Sequence, residues 1–184
     1  DRIFINTAAI DNLKFINEIV RNYGSSTIVL SVEVLKINNK YLCRKDFGRE
    51  ETNIELVSWI KEAENLGVGE VLVTSIDTDG TGLGFDLKIG ELLSKNIYIP
   101  FILNGGFSKL SHFSDVLNSC SPAGFAIGSM LHYSYMSKIN LINSKIDGNT
   151  NFLKKNIKYS NFNSITISDI KNHISKKFNY KFRN

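Results

Sequence analysis

Two carboxylates two residues apart, Asp77 and Asp79, are followed at once by Gly80, Thr81, Gly82 and Gly84 in the segment EVLVTSIDTDGTGLGFD that runs from Glu70 to Asp86. Carboxylates can give and take protons, and glycine lets backbone amides come close to a ligand. The apolar, β-rich run Val71 to Val73 just ahead reads as a buried strand that delivers these groups to a loop. In parallel α/β proteins ligands sit at the C-terminal ends of strands, so acids placed there read as chemistry rather than packing. For an isolated Asp-x-Asp-Gly a surface turn would be the better reading, but here the pattern recurs. Asn104-Gly105-Gly106 closes another apolar run, and Phe4 to Ala9 and Ala126 to Leu131 each set a small or polar residue and then a hydroxyl where a strand gives way to a helix. Asn6 and Thr7 mark the first of these ends, Gly128 and Ser129 the second. A hydroxyl donor beside free N–H groups at a helix start is a phosphate site on physical grounds. Singly, Thr7 and Ser129 read as N-caps; as a pair joined by the Asn104 to Gly106 turn, they favour an anionic ligand.

The elements that must hold these residues alternate regularly. Strand-like runs fall at Arg2 to Asn6, Thr27 to Val34, Glu70 to Ser75, Ile99 to Asn104 and Gly124 to Ile127, each apolar enough for burial on both faces. Helical patterns lie at about Asp11 to Tyr23, Asn53 to Leu66, Leu87 to Lys95, Leu110 to Ser119 and Ser168 to Phe178. Asn53 and Ser168 are N-cap candidates, and Gly24 and Gly67 stand just past helix ends. The polar stretch Lys36 to Arg49 reads as a loop, with a hairpin through Asn38 and Asn39. Strand, helix and strand with short connections mean right-handed crossovers and a parallel sheet, either open and doubly wound or closed as a barrel. Five strands are too few to close a barrel, yet the chain starts directly in a strand and reads as the later part of a longer protein. The two hydroxyl-bearing strand ends would then lie on opposite sides of the barrel mouth.

Composition bounds the reading. The 184 residues, 42% hydrophobic and 22% charged, suit one domain with a real core. No apolar run reaches membrane-spanning length and DRIFINTAAI lacks a signal-peptide pattern, so a soluble, cytoplasmic protein is expected. Cys43 and Cys120 have no metal spacing and read as free thiols, and no metal or cofactor is expected. The net charge of +4 gathers in a Lys- and Asn-rich tail. The same bias recurs in neutral places such as Asn38 to Lys40, so the tail reads as compositional and not as a nucleic-acid site.

Phe4 to Ala9, Leu66 to Thr81 and Leu103 to Gly106 together resemble the cyclase subunit family of imidazole glycerol phosphate synthase, from Asp1 to about Tyr133 and again near Ile167. The resemblance implies a parallel TIM-type (βα)8 barrel of which this chain supplies about strands four to eight. It implies a substrate with a phosphate at each end, and ammonia delivered by a glutaminase subunit to cleave it while an imidazole ring closes. Residue by residue, Asn6 and Thr7 fall on one phosphate site, and Gly80, Gly106, Gly128 and Ser129 on the other. Asp79 falls on the family's second catalytic acid, with Thr74 and Ser75 lining the pocket beside it. Arg2 and Glu70 match positions of the charged ring where ammonia enters, at the opposite end of the barrel.

There are departures. The family's leading catalytic Asp and a nearby Lys come from the first strand and its loop, and a glycine of the first phosphate site comes from the third. This stretch of sequence contains none of them, so it alone would not complete the active site. Glu33 stands where the family carries a substrate-contacting Asp, one methylene longer. An extra segment at 135–166 precedes the last helix, as in relatives from surface-glycan pathways, where a cyclase-like barrel puts nitrogen onto a sugar. A non-catalytic half-barrel that binds phosphate or a partner is the reading from another class.

Overall fold

The computed structural model describes residues 1–136 and 164–181. In chain order the elements are β1 (Ile3–Ile5), α1 (Thr7–Asp11), α2 (Leu13–Tyr23), β2 (Ile28–Ile37), β3 (Lys40–Lys45), β4 (Glu50–Glu55), α3 (Leu56–Asn65), β5 (Glu70–Ser75), α4 (Leu87–Asn96), β6 (Phe101–Asn104), α5 (Ser111–Ser119), β7 (Gly124–Ala126), α6 (Ser129–Met136) and α7 (Ile167–Phe178).

Strands β1, β2, β5, β6 and β7 are parallel, each paired with the next in that order. A doubly wound sheet reverses its strand order at a switch point. Unbroken order is that of a barrel wall, so the expected alternative of an open doubly wound sheet is removed. The five strands form an open arc.

Alternation along the strands separates two faces. Leu30, Val32, Val34, Val71, Val73, Phe101 and Leu103 are buried under the helices. Each buried apolar side chain of this size contributes roughly 1.5–3 kcal/mol. Their neighbours Ser31, Glu33, Leu72, Thr74, Ile102 and Asn104 line the other, inner face and are only half-buried. Register sets Glu33, Thr74 and Asn104 side by side across β2, β5 and β6, level with the C-terminal ends of β5 and β6. Beneath the β5 and β6 ends, Phe85, Phe107, Phe113 and Phe125 form an aromatic cluster with centroids 4.5–6.0 Å apart.

β2 is longer than its parallel partners, and one of its edges serves two strands in tandem. Residues 28–30 pair with β1, and residues 33–37 pair antiparallel with β3. Asn38 and Asn39 connect β2 to β3 with φ of 47° and 65°, as a two-residue hairpin turn of the primed type requires. The expected hairpin is there, and β4 extends it by pairing with β3.

Several boundaries differ from expectation, each for a local reason. The helix expected from Asn53 begins at Leu56, because Glu50–Glu55 is drawn into β4; Asn53 has φ 57°, and Glu55 occupies the N-cap. Ser168 lies inside α7. The cap is Thr166, whose hydroxyl accepts from Asp169 N at 3.1 Å while the Asp169 carboxylate accepts from Thr166 N at 2.9 Å. The first helical stretch is split by Asn12, whose side chain caps α2 through Lys14 N. Gly24 and Gly67 stand at helix ends as expected. Of the extra segment at 135–166, residues 137–163 lie outside the described residues.

Cys43 and Cys120 are free and buried. Burial pushes the Cys43 thiol up to about 12. Thiol reagents at pH 8 should therefore label Cys43 at the rate of global opening and not as an ordinary surface thiol. Rapid labelling of native protein, followed by peptide mapping, would contradict this packing.

Candidate functional site

The loops that follow β5, β6 and β7 enclose one cleft. Its lining includes Asp79, Gly80 and Gly82 from the first loop, Asn104, Gly105, Gly106 and Phe107 from the second, and Gly128, Ser129 and Met130 from the third. Three strand ends that are far apart in sequence thus bring together six expected residues: Asp79, Gly80, Asn104, Gly105, Gly106 and Gly128, with Ser129 opening α6 beside them.

The glycines play different parts. A Cβ on Gly106 (φ 88°) would run into the carbonyl of Gly84, and Gly106 O accepts from Gly84 N at 2.8 Å. The residue is needed where two loops touch. A Cβ on Gly80 or Gly128 would meet nothing within 4 Å. Those two face open space in which an anion can reach backbone amides at the start of α6.

The acids separate as well. Asp79 is exposed, and its backbone is fixed by Asp79 N donating to Ser75 O at 2.9 Å, which leaves the carboxylate at the cleft. Asp77, expected alongside it as a second acid of the site, is used structurally: its Oδ2 accepts from Lys36 N at 2.8 Å and ties the loop to the hairpin. Thr74 Oγ1 accepts from Asn104 Nδ2 at 3.0 Å on the inner face. Ser75, expected to line the pocket beside Thr74, is one residue on and so faces the helix side; it is 2% exposed, and its contribution is the carbonyl that anchors the Asp79 turn.

At the other end of the arc Asn6 Nδ2 donates to Glu33 Oε2 at 3.0 Å, and Asn6 Oδ1 is buried with no partner among the described residues. Thr7 Oγ1 accepts from Asp46 N at 3.0 Å, and Lys45 Nζ pairs with Asp11 Oδ1 at 2.6 Å. The end of β3 and the turn after it are thereby tied to both ends of α1, and the Thr7 hydroxyl still has its proton to donate. At the N-terminal ends of the strands Arg2 forms an ion pair with Glu70. With the Arg2 side chain 51% exposed, such a pair contributes about 1 kcal/mol at most to stability.

A family model described as histidine biosynthesis protein matches residues 1–137, most of the chain. The chain belongs to that family. Relatives include the imidazole glycerol phosphate synthase subunit HisF of Sulfurisphaera tokodaii, 39% identical over 67% of this chain and 49% of its own length. The HisF of Sulfolobus acidocaldarius is 42% identical over the same shares, and that of Legionella pneumophila 42% over 62% of this chain and 54% of its own. The chain spans about half the length of the curated relatives it matches. Its ordered parallel arc is accordingly a part of the TIM-type barrel of the histidine biosynthesis family, as the resemblance implied.

Residues that sequence reasoning missed lie behind the cleft. Ser108 Oγ donates to Gly82 O at 2.5 Å, and Ser108 N donates to the ring Nδ1 of His112 at 3.3 Å. The signal was a Ser and a His four residues apart just after Asn104 to Gly106. Tyr41 was missed too: its hydroxyl donates to the Asp86 carboxylate that caps α4, at 2.8 and 3.0 Å. Burial, then the bond to Asp86, raises its phenol well above the usual range.

Proposed function

We propose that the complete barrel carrying this chain is the cyclase subunit of imidazole glycerol phosphate synthase, a cytoplasmic enzyme of histidine biosynthesis that takes ammonia from a glutaminase subunit. The observation that carries this reading is the cleft in which Asp79 stands beside the open glycines Gly80 and Gly128 and the start of α6. Ring closure needs an acid or base placed against a substrate held at its ends. Asp79 serves as that group, the cleft as one phosphate clamp, and Asn6 and Thr7 as the other. Glu33, aligned beside Thr74 and held by Asn6, is the inner-face carboxylate that contacts the reacting part. The Arg2–Glu70 pair stands at the end of the strands where ammonia would enter. The missing first-strand groups come from the rest of the barrel.

A second reading keeps the ammonia route and changes the acceptor to an activated sugar. Glu33 favours it, because its carboxylate, one methylene farther out than the expected Asp, is held by Asn6. Turnover of the histidine-pathway substrate by the complete protein, supplied with an ammonium salt in place of a glutaminase, separates the two. Product formation supports cyclisation. No product from protein shown to be folded rejects it in favour of sugar amidation.

A further inference from the structure

We propose that His112, which does not itself reach the cleft, is a positioning residue for the anion site, and that it works only as the neutral imidazole. The inference rests on reading the cleft as a phosphate clamp. His112 lies in the first turn of α5 and is 5% exposed. A backbone N–H can only donate, so the 3.3 Å contact from Ser108 N requires a lone pair on Nδ1 and places the ring proton on Nε2. The ring lies flat against Gly84, whose missing Cβ would sit 3.4–3.5 Å from it, and Phe107 meets it edge-on at 6.2 Å.

Through these contacts one side chain fixes two of the three loops that wall the cleft, those after β5 and β6. Ser108, held by His112, donates to Gly82 O; Gly84, packed on the ring, donates to Gly106 O. Protonation would put an N–H on Nδ1 facing the Ser108 N–H and remove the acceptor that Ser108 N has among the described residues. The charged groups acting on the ring are Lys109 and Asp115 of its own segment, while the facing loop brings the backbone of Gly84. Burial, then Lys109, lowers the imidazole below its usual value, and Asp115 opposes this more weakly. For a base with a lowered folded pKa the unfolded chain binds more protons, so the stabilisation is complete above about pH 6.5 and is lost as pH falls below that value.

A histidine near an anion site ordinarily strengthens binding when it charges. Here the sign is reversed, because the charge dismantles the wall. The test uses the complete protein and amide NMR, with inorganic phosphate at pH 7.5 to locate the site and sulfate, which keeps its charge from pH 8 to 5, for the pH series. Amide shifts at Gly106, Gly128 and Ser129 on adding phosphate to wild type support the underlying clamp; their absence rejects that clamp and with it this proposal. Given those shifts, His112→Leu should weaken binding at least 10-fold. His112→Asn, whose Oδ1 takes the place of Nδ1 and does not titrate, should bind as wild type does at pH 8. Across the pH interval in which the His112 ring resonances show the imidazole to protonate, wild type should lose sulfate affinity at least 5-fold more than His112→Asn. Equal affinity of the Leu variant, or equal pH profiles for wild type and Asn, overturns the role of His112 and leaves the clamp standing.

Discussion

Asp79→Asn should lower ammonia-dependent turnover of the complete barrel by about 10²- to 10⁴-fold, the range for loss of a positioned proton-transfer group. Its thermal unfolding should hardly move, because the Asp79 carboxylate makes no hydrogen bond to any described residue and the turn is held by its backbone N–H. Exposed substitutions of this kind usually stay within about 0.5 kcal/mol of wild type. Asp77→Ala should show the opposite signature. It removes the acceptor for Lys36 N, so stability falls by about 1 kcal/mol while the chemical step survives. Kinetics and calorimetry on the two variants decide the matter. Full turnover in Asp79→Asn would remove this residue from the mechanism.

The second large effect belongs to the glycines. Gly106→Ala should destabilise the protein by roughly 3 kcal/mol, since a methyl at φ 88° is strained and also strikes the Gly84 carbonyl. In a barrel of family size that is a fall in Tm of roughly 10 °C. Gly128→Val meets no such obstacle and should fold normally, but its side chain enters the cleft and should reduce phosphate affinity at least 10-fold. Normal stability in Gly106→Ala would mean that the two loops do not meet as described. Unchanged phosphate affinity in Gly128→Val would place the anion elsewhere.

The parallel strands were legible because they are written as continuous apolar runs, as in Val71 to Val73. β4 was not. Its residues, EETNIE, are acidic, polar and mostly exposed, a composition that disfavours strands, and they become one only because β3 offers an edge to pair with. Much the same holds for the site. The residue types at the strand ends announced a cleft, but the choice between Asp77 and Asp79 depends on where the hairpin backbone of Lys36 arrives. That contact bridges forty-one positions of sequence. The face on which Ser75 falls is likewise a matter of register and not of residue type, as Thr74 beside it shows. His112 was invisible because a buried histidine at a helix start looks like any core residue until its ring nitrogen is seen to hold Ser108.

The double use of one β2 edge bears on the order in which the chain folds. The turn at Asn38 and Asn39 joins β2 to β3 locally, and a hairpin of this kind forms in roughly 1–10 μs. Pairing of β2 with β1 or β5 must close loops of twenty-five residues or more and comes later. The hairpin therefore presents β2 to its parallel neighbours with its pleat already set. A slip of one residue at that early step would turn Glu33 toward the helices and Val34 toward the barrel interior, and every strand added afterwards would inherit the error. On this view the paired asparagines, far from any reacting atom, set the time at which the inner carboxylate acquires its direction.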